Sequence, residues 1–299
     1  MGADGVVRGF VSDTDGCNGG RIRYFQGSGR DWTVQDTPWL GQVQAAATWG
    51  GNAVLLYSSG DRLRIAGRTG GRYTAGRQIG PRSASGADVV VNASGWWAVW
   101  PEDLPGTART QLYQARTMGA DRNREAITTA VAINHRDISP SLALRPGGGV
   151  TLVWSRVSSQ TGNQLRIAAS TGGRWSSRLL SKTTEKADTD LAVSGSRTFV
   201  AYEHGYRVFE ADDLGGGPVR QRYRFNTNGF RPKVAASGGN SFVSLWGGRG
   251  GVFVATRRGR GRWTGQNVGN GHPLQILAAR GKATVLYGND TGLFARTQR

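Results

Sequence analysis

Short runs of Val, Leu, Ile, Ala and Thr, each closed by an aromatic ring, recur along the chain between glycine-rich or polar segments. Clear copies cover 53–57, 97–100, 150–154, 198–202, 241–246 and 283–287, with a less regular one at 6–10. An unbroken apolar row predicts a strand covered on both faces, because successive side chains leave a strand on opposite sides. A shorter apolar segment precedes each run, as at 140–144, 232–236 and 273–277. Another follows it, as at 63–66, 165–168 and 252–255. A glycine-rich hairpin and a fourth segment close most copies. The pattern predicts a repeated antiparallel unit of four strands, A to D in chain order.

The closing aromatics Phe10, Tyr57, Trp100, Trp154, Tyr202, Trp246 and Tyr287 are 47, 43, 54, 48, 44 and 41 residues apart. That spacing is the length of one four-stranded propeller blade. The expected fold is all-β, a seven-bladed β-propeller of four-stranded antiparallel blades occupying residues 1–299 as a single domain. Such a domain could also belong to a larger secreted protein or assembly. The first unit lacks an obvious A strand and the last stops after C, which predicts 26 strands. Six blades and a stray hairpin is the alternative count.

Composition supports the strand-and-turn reading and limits the chemistry. Glycine supplies 47 of 299 residues, about twice its usual share of ~7%, without the period of three that collagen requires. The net charge of +18 comes almost wholly from arginine. It favours anionic partners, although an arginine-rich genome would produce the same bias. Cys17 is the single cysteine, so no intrachain disulfide forms. No apolar run approaches the ~18 residues of a membrane span, so membrane insertion is not expected. Residues 1–4 lack the apolar core of a signal peptide, which leaves a cytoplasmic protein or a removed export signal.

The hairpins between strands C and D share glycines followed by Arg and an aromatic: 69–73, 170–175 and 258–263, with 28–32 a shorter relative. This motif resembles a degenerate Asp-box, the repeat of sialidase-type (BNR-repeat) propellers, with the anchoring Asp missing from its place. The resemblance implies a propeller fold and a structural role for the hairpin aromatics. It also implies an extracellular or cell-surface location, and it is nearer to non-catalytic propeller lectins than to sialidases. No catalytic residue is carried over: Arg21-Ile22-Arg23 lacks the proline of the sialidase marker, and Tyr202-Glu203 lies on one strand end.

Propeller topology puts the B–C and D–A loops on one face, where ligands usually bind. The candidate ligand-binding residues there are Trp39, Glu102, Asp103, His135, Arg136, Asp137, Glu203, His204, Asn228, Arg231, His272 and Asn289. Aromatic rings beside fixed polar groups suit sugars, whose C–H faces stack on rings while their hydroxyls hydrogen-bond. Packing competes with binding at Trp100, Trp154, Tyr202 and Trp246, because a ring alternating with Val and Leu is also how core reads. On the opposite side, Arg257, Arg258, Arg260 and Arg262 form a candidate basic rim. No metal spacing or phosphate loop is present, so no metal or cofactor is expected.

The reading is a non-enzymatic, lectin-like module for a glycan or cell-surface polysaccharide. A carbohydrate-active enzyme, a glycoside hydrolase or lyase at the axial mouth, is the first alternative. A scaffold that holds an acidic protein on the basic rim is the second. Nucleic acid is the less favoured polyanion.

Overall fold

The computed structural model describes residues 6–12, 20–28, 31–81, 86–118, 122–128, 135–146, 148–171, 174–183, 187–194, 197–204, 207–212, 220–223, 229–237, 240–247, 250–258, 261–279, 281–289 and 291–297. All regular structure among them is strand, in successive groups, of which the third and fourth are joined into one eight-stranded sheet by a parallel bridge between Thr110 and Arg136. The first group is β1 (Val7–Ser12), β2 (Arg21–Ser28) and β3 (Asp31–Leu40). The second is β4 (Gln42–Trp49), β5 (Asn52–Ser59), β6 (Arg62–Thr69), β7 (Arg72–Tyr73) and β8 (Arg77–Pro81). The third is β9 (Asp88–Asn92), β10 (Gly95–Asp103), β11 (Thr110–Arg116) and β12 (Arg122–Ala126). The fourth is β13 (Arg136–Leu144), β14 (Val150–Val157), β15 (Asn163–Thr171) and β16 (Arg174–Thr183). The fifth is β17 (Thr189–Ser194), β18 (Arg197–His204), β19 (Arg207–Asp212) and β20 (Arg220–Tyr223). The sixth is β21 (Gly229–Ser237), β22 (Asn240–Gly247), β23 (Gly251–Arg258) and β24 (Thr264–Asn270). The seventh is β25 (His272–Ala279), β26 (Lys282–Asn289) and β27 (Gly292–Thr297).

Among the described residues there are 27 strands, one more than the expected 26, because the fourth strand of the second group is broken. β7 and β8 both pair with β6. Between them, Thr74 turns its hydroxyl onto the Gly67 N–H (2.8 Å) and lends its carbonyl to the Trp39 indole (3.2 Å). The Thr74 N–H still donates to the Gly67 carbonyl at 2.9 Å, so the hydroxyl supplements one backbone bond where the strand breaks.

The chain divides into two compact units, 1–141 and 142–299, with the boundary inside β13. In the first unit, β5 is buried on both faces, and its alternation sorts side chains between two interfaces. Ala53, Leu55 and Tyr57 pack with Phe10, Ile22, Tyr24 and Trp39 of the first group. Leu56, with Leu63, Ile65 and Ile79, packs on Val89, Ala98 and Trp100 of the third group.

The second unit repeats this arrangement. Val153, Leu165 and Ile167 of the fourth group meet Leu191, Val200 and Tyr202 of the fifth. Phe199 and Ala201 meet Val234 and Val243 of the sixth. Phe242, Val252 and Val254 meet Ile276, Val285 and Tyr287 of the seventh. Each core is thus a sheet-on-sheet interface between consecutive groups, filled by the period-two pattern of both.

Candidate functional site

β10 continues past its closing aromatic: Pro101, Glu102 and Asp103 still pair with Leu112, Gln111 and Thr110 of β11. Glu102 and Asp103 therefore end a strand instead of lying in a loop as expected, and they leave it on opposite faces. Glu102 points with Trp100 toward β8. It accepts the Trp100 indole N–H at 2.6 Å, the Arg124 Nε–H at 3.0 Å and a second, shorter bond from the same guanidinium. The carboxylate is 4% exposed while Arg124 is about half exposed, 51%. A buried carboxylate needs this compensation, because an unpaired charge out of water is costly. Hydrogen bonding to Glu102 raises the Arg124 pKa further above its ordinary value, outweighing the partial burial that lowers it. The Arg124 guanidinium also lies over the Tyr113 ring, 4.3 Å from its centre.

An open cavity of about 530 Å³ lies against this pair, lined by Asp61, Arg62, Gln78, Ile79, Gly80, Pro81 and Arg124. Gly80 makes the close approach of β8 to β10 feasible: a Cβ there would fall 2.7 Å from the Trp100 Nε1 and 2.9 Å from a Glu102 oxygen. The cavity lies between the outer strands of the second and third groups. The axial position expected from sequence would have been along the first strands, β4 and β9.

On the other face of the same strand end, Thr110 donates to Asp103 at 2.9 Å and accepts from the Arg136 Nε at 3.4 Å. The Thr110 N–H reaches the His135 carbonyl at 3.2 Å. Behind it His135, 5% exposed, faces the fully buried Asp137 at 3.5 Å. Glu102, Asp103, His135, Arg136 and Asp137 thus gather around the end of β10. The His135–Asp137 pair is sealed from solvent, which corrects its expected place at an open mouth.

The remaining candidates have other surroundings. Trp39 lies within β3 rather than in a loop; it is 4% exposed and stacks on Tyr57 at 6.2 Å, a core position that corrects its reading as a ligand platform. In the second unit, Glu203 is the penultimate residue of β18 and its N–H donates to the Asp188 carbonyl at 2.9 Å. His204 closes that strand opposite Arg207, and Arg231 lies in β21. Asn228 is outside the described residues. His272 opens β25 opposite Gly288, and the Asn289 amide donates to the Asn270 carbonyl at 3.3 Å, so these two share a corner.

Arg257 of the expected rim is 2% exposed, its guanidinium between the rings of Phe199 (5.7 Å) and Trp263 (4.9 Å). It is a cation–π packing residue, and Arg68 repeats the arrangement over Tyr24 and Tyr73. Arg258 and Arg262 are exposed, and Arg260 is outside the described residues.

Arg124, Gln78, Asp61, Arg62 and Thr110 were missed in the sequence reading. The signal for Arg124 was indirect: Trp100 and Glu102, two apart on a buried strand, place a carboxylate where a cation must answer it. Among the described residues no helix is long and apolar enough to cross a membrane, and no cluster of three His, Cys, Asp or Glu could hold a metal.

No protein-family model matches the sequence, and no curated protein is significantly similar to it. Solved structures are similar in fold. The BP39L lectin from Burkholderia pseudomallei has a TM-score of 0.72 at 16% identity, over 98% of this chain and 92% of that one. The Aleuria aurantia lectin in complex with Fucα1-6GlcNAc has a TM-score of 0.55 at 13% identity, over 85% and 90%. A puromycin hydrolase has a TM-score of 0.60 at 14% identity over 98% of this chain, which spans only 51% of that enzyme. The fold is a β-propeller. At this level of identity the likeness speaks for architecture; of these three, the two lectins are matched over most of their length.

Proposed function

We propose that the chain is a carbohydrate-binding propeller, residues 1–299 acting as one non-enzymatic domain at or outside the cell surface. The observation that carries this reading is the open cavity lined by Arg124, whose guanidinium the buried Glu102 behind it holds in place. A bidentate carboxylate–guanidinium pair holds donors and acceptors in a fixed geometry, and Arg62, Gln78 and Asp61 add further donors and acceptors around about 530 Å³. Vicinal sugar hydroxyls, each both donor and acceptor, match that mixture, and the exposed Pro81 offers apolar surface to the C–H face. Glycans containing a deoxyhexose are the first to test, because the similar Aleuria lectin was solved with a fucosyl disaccharide. Trp263, just before β24, packs on Phe199 of the neighbouring group, the structural role that the resemblance to a degenerate Asp-box implies for it.

A glycan array with the purified chain tests the reading, followed by titration of the best ligand into Arg62→Ala and Gln78→Ala. Both side chains are exposed, so folding should be retained while affinity falls about tenfold, or ~1.4 kcal/mol. Absence of binding across the array, or unchanged affinity in both variants, would sink the proposal.

A further inference from the structure

The seventh group stops at its third strand. In the second to sixth groups the third strand is paired on both sides, its second partner being β7 with β8, β12, β16, β20 or β24. Among the described residues β27 pairs with β26 alone, and all six of its residues are exposed. Only Asp290 and Thr291 separate Asn289 from its partner Gly292, so these two form a hydrogen-bonded pair. By alternation the N–H and C=O groups of Leu293, Ala295 and Thr297 then point away from β26. The strands that close the first, second, third, fourth and sixth groups each carry a register irregularity, a common way to spoil an open edge. β27 has none, and it holds no proline or lysine. Leu293, 42% exposed, and Phe294, 37%, offer apolar surface on its two faces. Arg296 is exposed and donates to the Val268 carbonyl at 2.9 Å; Lys282, also exposed, opens β26 near the Thr297 end. The one acidic residue in 272–297 is Asp290, which follows β26 in sequence.

We propose that β27 is a docking edge for an extended acidic segment of a partner protein, which adds itself as the fourth strand of the group. A regular, unguarded strand edge is a template for such addition, and its main-chain groups supply the affinity. Leu293 and Phe294 pair best with β-branched or aromatic residues opposite them. The fourth strands of other groups run antiparallel to the third, so the added segment starts beside Thr297 and ends beside Gly292. Its acidic residues therefore belong in its first half, where Arg296 and Lys282 lie. The charge of +18 draws in an acidic partner and opposes a second copy of the chain, which would bring a like field to the same edge. This edge is separate from the cavity beside Arg124 and from the expected rim around Arg257, and the inference does not depend on glycan binding.

The test titrates the chain, in moderate salt, into a fluorescent synthetic peptide of three acidic residues followed by alternating valine and threonine, and follows hydrogen exchange by NMR. The amides of Leu293, Ala295 and Thr297 should exchange fast in the chain alone and become protected when the peptide binds. Ala295→Pro removes an outward N–H and leaves the β26 ladder intact, so melting should hardly change while affinity falls at least tenfold. Lys282→Glu should weaken binding at least threefold, and Arg62→Ala, at the cavity beside Arg124, should leave it unchanged. A peptide with lysines for the acidic residues should not bind. If Ala295→Pro fails to fold, the acidic peptide N-methylated at alternate residues replaces it as the test, and should lose binding because one edge no longer donates. No binding of the acidic peptide, equal binding of the lysine or N-methylated peptide, or protection of the three amides before any peptide is added would overturn the proposal. Protection that rises with protein concentration alone would identify a second copy as the occupant instead.

Discussion

Tyr57, Trp100, Tyr202 and Tyr287 each close an apolar run, and each turns back onto the preceding strand group. Their rings are core, and their polar atoms are managed locally, as when the Trp100 indole binds Glu102. Burial raises the pKa of Tyr57 and Tyr202 above the usual ~10. The folded state therefore favours the neutral phenol. Their stabilising share is full below about pH 10, the unfolded value, and is lost as pH rises toward the higher folded value. The melting temperature should fall between about pH 9 and about pH 11, and Tyr202→Phe should make that fall shallower in a thermal melt series. An identical alkaline slope in the variant would contradict this. Packing was the competing sequence reading of Trp100, Trp154 and Tyr202, all buried, and it prevails there because strands covered on both faces leave ring side chains no route to solvent.

At the scale of the element, the second and seventh groups open with the same corner. Gly41 and Gly271 have φ of +148° and +135°. Their N–H groups donate to the carbonyls of Gly20 (3.0 Å) and Gly250 (2.9 Å). A Cβ at either position would lie well inside contact with a backbone carbonyl, that of Ser58 or Gly288. Gly41→Ala and Gly271→Ala should each destabilise the protein by about 2 kcal/mol or more, through left-handed backbone strain plus the clash. Gly60→Ala, also at positive φ but with open space around it, should lose less. Denaturant titration orders the three. The run-and-turn pattern made the strands legible, and the register of β5 on β6 and of β22 on β23 follows from it. The extent of β10 was not legible, because Pro101 and Glu102 look like the start of a loop until β11 supplies their partners. Thr110, which ties Asp103 to Arg136, is missed for the same reason.

For the whole molecule, the charge of +18 adds a long-range attraction to any anionic surface, distinct from the recognition proposed for the cavity beside Arg124. Salt screens such a field over about 8 Å at physiological strength, whereas short hydrogen bonds within a cavity are far less affected. Raising salt from about 50 mM to about 500 mM should cut retention on an anionic resin more than tenfold. Over the same range the affinity for a neutral glycan should change less than about twofold. A neutral-glycan affinity that collapses in step with resin retention would mean that surface charge, and not the cavity, does the binding.

Strand units, their order and the apolar character of both faces were determined by the sequence itself, since period-two alternation and glycine punctuation act over a few residues. Which polar groups meet was decided only by tertiary structure. Glu102 and Arg124 stand 22 residues apart and come together because β10, β11 and β12 pair side by side. The cavity beside them exists because β8 of the neighbouring group brings a glycine against that pair. A local pattern cannot encode such an encounter, since it depends on how two sheets, each specified separately, face one another.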